Sequence, residues 1–273
     1  MAALIGFFLG WLLLWFPLGL IAVWIFKIPL AYPVAPEHKL PLLLPLYLIA
    51  PVAVEGYRRY GAQTPWTAFG MVWNPAFFTT TALGFGIGGL GVLALIAVQV
   101  GLGWRRLNRP QSAPEAEARA PSLGLLVLTL LPLTLFIGGI EELIFRGVLV
   151  NGLAPTLPPG AMVIIVASLI FALSHLVWDG PAGIPQLPGL ALMGAVLILA
   201  RWTTGGDLSL AWGLHAGWIF AIALTDTLHL VVSTPRSPAW LAGQPDQPLT
   251  GVLALGLLLL TGLGIWGYGQ WLA

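Results

Sequence analysis

An all-α, polytopic membrane helix bundle of about eight transmembrane helices is the fold this chain predicts, on three observations. Of its 273 residues, 58% are hydrophobic and only 8% are charged, against about 25% charged in an ordinary soluble domain. Mean hydropathy is +0.93. Stretches without charge recur along the whole chain and approach the ~20 apolar residues that a bilayer span needs. The 34 Gly and 13 Trp agree with this, because both types are favoured in or beside bilayers. Such a composition excludes a water-soluble enzyme and a disordered chain. A formal charge of +1 leaves no basic surface for nucleic acid. The absence of cysteine excludes disulfides, thiolate metal sites and Cys nucleophiles.

The candidate spans are Ala2–Phe26, Leu40–Val54, Phe77–Trp104, Ser122–Val150, Ala161–Trp178, Leu187–Ala200, Leu208–Val232 and Leu249–Leu272. The first has no basic leader and no small-residue cleavage site, so it reads as a span and not as a cleaved signal peptide. The second is short and holds three prolines. Between spans, Arg105–Ser122 reads as a basic solvated loop and Ser233–Pro248 as a Pro/Ser-rich one. Thr64–Pro75 reads as a short interfacial helix with Trp66, Phe69 and Trp73 as headgroup-level anchors. No internal repeat supports a transporter of inverted halves. Three parts follow within one membrane domain: helices and basic loop over 1–121, a core over 122–232, and a loop with a final helix over 233–273. Lys27, Lys39, Arg105, Arg106, Arg109, Arg119 and Arg236 fall on one face of the eight-span plan, and Arg58, Arg59 and Arg201 on the other. The positive-inside rule then places both termini outside.

The informative residues are those that lipid should exclude. Glu141, Glu142 and Arg146 lie within six residues of one apolar stretch. Unpaired, the three would cost on the order of 8–10 kcal/mol even on the lenient insertion scale. On a helix Glu142 and Arg146 are i,i+4 and can pair, while Glu141 points ~100° away and is left free. The structural alternative is a buried ion pair near a helix end. His175 closes the string FALSH one turn after Phe171, and His215 opens HAGWI two spans later. Each histidine alone reads more readily as a satisfied core residue than as a catalytic one. Together, a Glu pair and two intramembrane histidines make an acid–base set for hydrolysis, in which a carboxylate takes a proton from water and imidazoles orient that water or stabilise an oxyanion. Such a set is expected to converge: Glu141, Glu142, His175 and His215 should face one polar cavity. Two Glu and two His are also enough for zinc, which makes Glu141, His175 and His215 alternative ligands for a divalent metal, although there is no HExxH.

The ordered strings EELIFR (141–146), FALSH (171–175) and HAGWI (215–219) resemble the CPBP or Abi family. That family includes the Ras-converting type of CAAX prenyl endopeptidase and bacteriocin-processing proteins. The resemblance spans roughly 123–232 and implies an integral, multi-pass membrane endopeptidase, in the cell membrane if bacterial. It implies a metal-free glutamate mechanism without cofactor, acting on a membrane-embedded or membrane-associated peptide or protein. By resemblance Glu141 is the general base, His175 assists it, Glu142 and Arg146 hold the site together with Phe171 in support, and His215 lies on the oxyanion side. The family's third motif usually reads HxxxN or HxxxD. Here the fourth residue after His215 is Ile219, and loss of an oxyanion donor can cost ~10²–10³ in rate. The alternative is therefore a weakened or inert member serving as a membrane scaffold or regulator. A third reading is a transporter or channel gated by the Glu/Arg cluster.

Among other features, GIGGLG (86–91) sits in an apolar span and reads as close helix packing through small residues, not as a nucleotide loop. Asp179 reads either as a partner of His175 or as a helix end before Gly180-Pro181. Asp226, ~16 Å along the helix from His215, is too far to share its first contacts.

Overall fold

The computed structural model describes residues 1–108, 122–158, 160–244 and 247–272. Most of the expected basic loop, residues 109–121, lies outside them. The fold is a bundle of eight main helices: α1 (Ala2–Phe26), α2 (Pro36–Gly56, running on as a π-turn over Tyr57–Ala62), α3 (Pro75–Gly101), α4 (Leu123–Glu141, continuing as a π-helix over Glu142–Leu149 and ending at Leu153), α5 (Ala161–Ser174), α6 (Leu187–Thr203), α7 (Ser209–Thr227) and α8 (Val252–Leu272). Among the described residues, six stretches are long and apolar enough to cross a membrane; one of them, Ala161–Thr203, folds back on itself as the α5–α6 pair. The outer faces carry exposed Leu13, Trp24, Leu128 and Leu260, as lipid contact requires. The protein is an integral, multi-pass membrane protein.

Several expectations shift. The second helix is longer than Leu40–Val54 because Pro36 occupies its first turn, where a missing N–H is harmless. The expected Leu208–Val232 span ends at Thr227. Val231–Ser233 instead forms strand β2, paired antiparallel with β1 (Arg105–Leu107), so the helical fold carries one small ribbon. The Ala161–Trp178 span stops at Ser174, and a separate turn covers Leu176–Asp179. Trp66–Phe69 is a single 3-10 turn. Phe69 is 1% exposed and belongs to the core, not to a headgroup belt. Arg201 is buried as well. Its guanidinium donates to the carbonyls of Arg146, Ala68 and Gly206, satisfying backbone acceptors of α4 and of two neighbouring connections, so it is no loop charge.

Glycine determines the most extensive helix contact, that of α3 with α7. A Cβ on Gly84 or Gly88 would overlap the backbone of Leu210 or Leu214; one on Gly213 or Gly217 would overlap the carbonyl oxygens of Thr81 or Phe85. Small residues at i,i+4 on both helices let the backbones touch. The GIGGLG string thus packs helices as expected, through Gly88 above all, with Gly91 against Leu257 of α8. The two helices run parallel, and β1 and β2 join their C-terminal ends. On the opposite side α4 presses on α7, where Gly138 leaves room for the Ala216 backbone and Gly139 for the Trp212 ring. The Trp212 indole donates to the Leu135 carbonyl at 2.7 Å. These contacts bring the Glu-Glu segment of α4 against His215 of α7.

Candidate active site

Glu141 is the last α-helical residue of α4, and Glu142 opens the π-helical segment. Single-turn π segments are rare and frequent at functional sites. Glu142 and Arg146 are 0% and 1% exposed, with Arg146 Nη1 3.0 Å from Glu142 Oε1. The same oxygen accepts from His215 Nδ1 at 2.7 Å. The Arg146 guanidinium lies 4.2 Å from the centre of the Phe171 ring, a cation–π contact. Phe171 also meets the His175 ring edge-on at 4.8 Å and the His215 ring at 6.1 Å. Phe171 is therefore the apolar hub of the polar residues, which a one-turn spacing to His175 alone does not reveal.

The hydrogen bonds orient both imidazoles. His175 Nδ1 lies 2.9 Å from the Phe171 carbonyl. A carbonyl only accepts, so Nδ1 carries a proton, and in the neutral ring the free lone pair is then on Nε2. His215 Nδ1 likewise faces a carboxylate, which turns its Nε2 toward Glu141 Oε2, 3.6 Å away. Glu141 Oε1 accepts from the hydroxyl of Tyr47, a residue of α2 that no motif singles out. Its only trace in the sequence is a phenol in an apolar stretch, where a buried hydroxyl needs a partner.

Glu141, His175 and His215 line one cavity of about 230 Å³, together with Ile219, Gln99, Arg105 and Asp226. Glu142 does not face it: fully buried behind His215, it neutralises Arg146. The cavity is mainly apolar along Val92, Met193, Ile222 and Leu258 and polar at its two ends, where the sequence had led us to expect a polar one. Asp226 lies at the far end beside Arg105. Partial burial holds the Arg105 guanidinium below its ordinary value, opposed by the Asp226 carboxylate. Glu141 and His175 also line a second cavity, of about 350 Å³, with Tyr47, Trp11, Phe145 and Trp178. Asp179 stands at that rim, ion-paired with Lys39 of α2. It closes a helical turn, as one expectation had it, and its charge partner is Lys39, not His175.

The described residues contain no group of three His, Asp or Glu side chains placed to share one metal ion.

None of the curated proteins and none of the solved structures compared matches the chain. A family model does: residues 123–221 match the one described as type II CAAX prenyl endopeptidase, Rce1-like. The matched stretch runs from the start of α4 into α7 and contains all three strings that carry the resemblance, while α1–α3 and α8 lie outside it. Over residues 123–221 the chain is thus similar to the Rce1-like type II CAAX prenyl endopeptidases, which supports the CAAX-protease resemblance carried by the three strings.

Proposed function

We propose that this protein is an intramembrane endopeptidase in which Glu141 activates water to cleave a peptide bond of a membrane-associated substrate. One observation carries the reading: Glu141, His175 and His215 line a single cavity, while the charge of Glu142 is absorbed by Arg146. Glu141 takes a proton as the water oxygen attacks the carbonyl carbon. The free lone pair on His175 Nε2 accepts the water's second hydrogen as a hydrogen bond and fixes its direction. His215, held between the two carboxylates, stands on the oxyanion side. Glu141 then returns its proton to the leaving nitrogen as the C–N bond breaks, and the products are a carboxylic acid and an amine, between which the remaining water-derived proton then moves to leave a carboxylate and an ammonium. The apolar walls keep bulk water out and accept aliphatic side chains of the substrate.

The test compares membranes from cells carrying the parent or Glu141→Ala by proteomics. One membrane protein should persist uncleaved in the variant. Identical cleavage patterns and no phenotype would sink the proteolytic reading.

Ile219 favours a second reading, a catalytically weakened or inert member acting as scaffold or regulator. It is half-buried and lines the same cavity as the three site residues, where it cannot donate a hydrogen bond. Ile219→Asn places an amide donor one turn from His215. In a weakened protease it should raise kcat and leave KM in place, because an oxyanion exists only near the transition state. Turnover that stays flat in a folded Ile219→Asn protein would show that another donor already fills the role. No cleavage by parent or variant would favour the scaffold.

A further inference from the structure

The residue left over by this reading is Tyr47. It lies on α2, outside the family-matched stretch, and is separated from Glu141 by 94 positions. It is 8% exposed, and its hydroxyl donates to Glu141 Oε1. Glu141 Oε2 is the oxygen on the His215 side. The phenol and the imidazole therefore flank the carboxylate from two different helices, one at each oxygen.

The placement of Tyr47 is built in detail. Trp11 and Trp15 of α1 are one turn apart, and their indoles donate to the carbonyls of Leu46 at 2.9 Å and Leu42 at 3.0 Å, one turn apart on α2. These two bonds lock the register of α2 against α1. Pro51, four residues after Tyr47, removes the backbone donor that would have served the Tyr47 carbonyl. Proline at 41, 45 and 51 is poor material for a helix, and the two indoles supply the hold that the helix lacks. The ring of Tyr47 then forms part of the wall of the second cavity, beside Glu141, His175, Trp11 and Leu46.

We propose that Tyr47 is a positioning residue of the active centre: its hydroxyl holds Glu141 Oε1, so that Oε2 alone is presented to the attacking water. This rests on the reading of Glu141 as the group that activates water. On this view the catalytic unit is completed by α2 and is not contained in residues 123–221. A carboxylate free to rotate would offer either oxygen, and misplacement of a reacting group by ~1 Å can cost about a hundredfold.

The test uses the full-length protein in detergent or vesicles, in three forms besides the parent: Tyr47→Phe, difluorotyrosine at position 47, and Glu141→Gln. Tyr47→Phe keeps the ring and removes only the hydroxyl. Its kcat on the peptide cleaved in a Glu141-dependent manner should fall roughly ten- to a hundredfold with KM held. Difluorotyrosine, which retains the hydroxyl, should recover most of the loss. In infrared spectra the carboxylate stretch of Glu141, identified by its disappearance in Glu141→Gln, should move in Tyr47→Phe. A parental kcat in Tyr47→Phe, or a raised KM with kcat kept, overturns the proposal. If the parent cleaves nothing, the proteolytic reading fails and the infrared arm still decides: an unmoved Glu141 band overturns the role of Tyr47. Should Tyr47→Phe not elute as folded protein, difluorotyrosine stands in, since its more acidic hydroxyl should also move the band.

Discussion

At the scale of single residues, Arg146 is the side chain on which the others depend. It is 1% exposed, bonded to Glu142 Oε1, stacked on Phe171, and its backbone carbonyl is capped by Arg201. Arg146→Leu leaves Glu142 buried with only His215 as partner, and breaking a buried pair costs about 3–5 kcal/mol. Thermal unfolding in detergent should show a clear loss, part of which returns in the double variant Glu142→Gln with Arg146→Leu. Equal unfolding temperatures of Arg146→Leu and the parent would contradict this. The pair itself was legible in the sequence, because i,i+4 spacing and the cost of charge in lipid both demand it. The bond from His215 to Glu142 was not, since nothing local joins positions 73 residues apart. Nor was the partner of Asp179: His175 is its neighbour in sequence, but Lys39, 140 residues away, takes the charge.

At the scale of elements, the glycine faces of α3 and α7 position the site. His215 lies between Gly213 and Gly217, both in backbone contact with α3. Gly217→Val would drive a side chain into the Phe85 carbonyl and push α7 away from α3. Without that contact, His215 would no longer be held against Glu142. The expected outcome is a lower unfolding temperature and loss of any Glu141-dependent cleavage. Gly86→Ala, in the same GIGGLG string but with open space around its Cβ, should behave as the parent. Similar behaviour of the two variants would show that the close approach does not position His215. The string announced helix packing by its small residues alone. Which glycines make contact depends on the helix register, and that is a tertiary fact.

At the scale of the whole molecule, the loops sort into two sets. Gly70 meets Gly206 and Leu208, and Asn151, in the last turn of α4, donates to Ala68, which gathers the 63–74 and 204–208 connections and the C-terminal end of α4 at one end. Tyr32 donates to Leu176, Gln247 to Ala182, and Asn108 pairs with Leu230, which gathers the others at the opposite end with Lys27, Lys39, Arg105, Arg106 and Arg236. With Arg201 buried, the imbalance of positive charge grows, and the positive-inside rule places the Arg-rich end in the cytoplasm. The chain has no cysteine, so single cysteines report cleanly. Arg236→Cys should resist a membrane-impermeant maleimide in intact cells, and Gly206→Cys should react. The reverse pattern would invert the orientation.

Composition and patterning by themselves determined the membrane environment, the helical class, the approximate spans and the three strings that carry the family resemblance. Each is a local or additive property: hydropathy sums along the chain, and a charge in lipid is costly wherever the helix goes. The tertiary structure alone decided which oxygen of which glutamate meets which nitrogen. It sent Glu142 behind His215 and left Glu141 at the cavity. It also brought Tyr47, on a proline-rich helix outside the family match, to the carboxylate. Those outcomes depend on the register and close approach of helices far apart in sequence, which two indole bonds and a few glycine contacts determine.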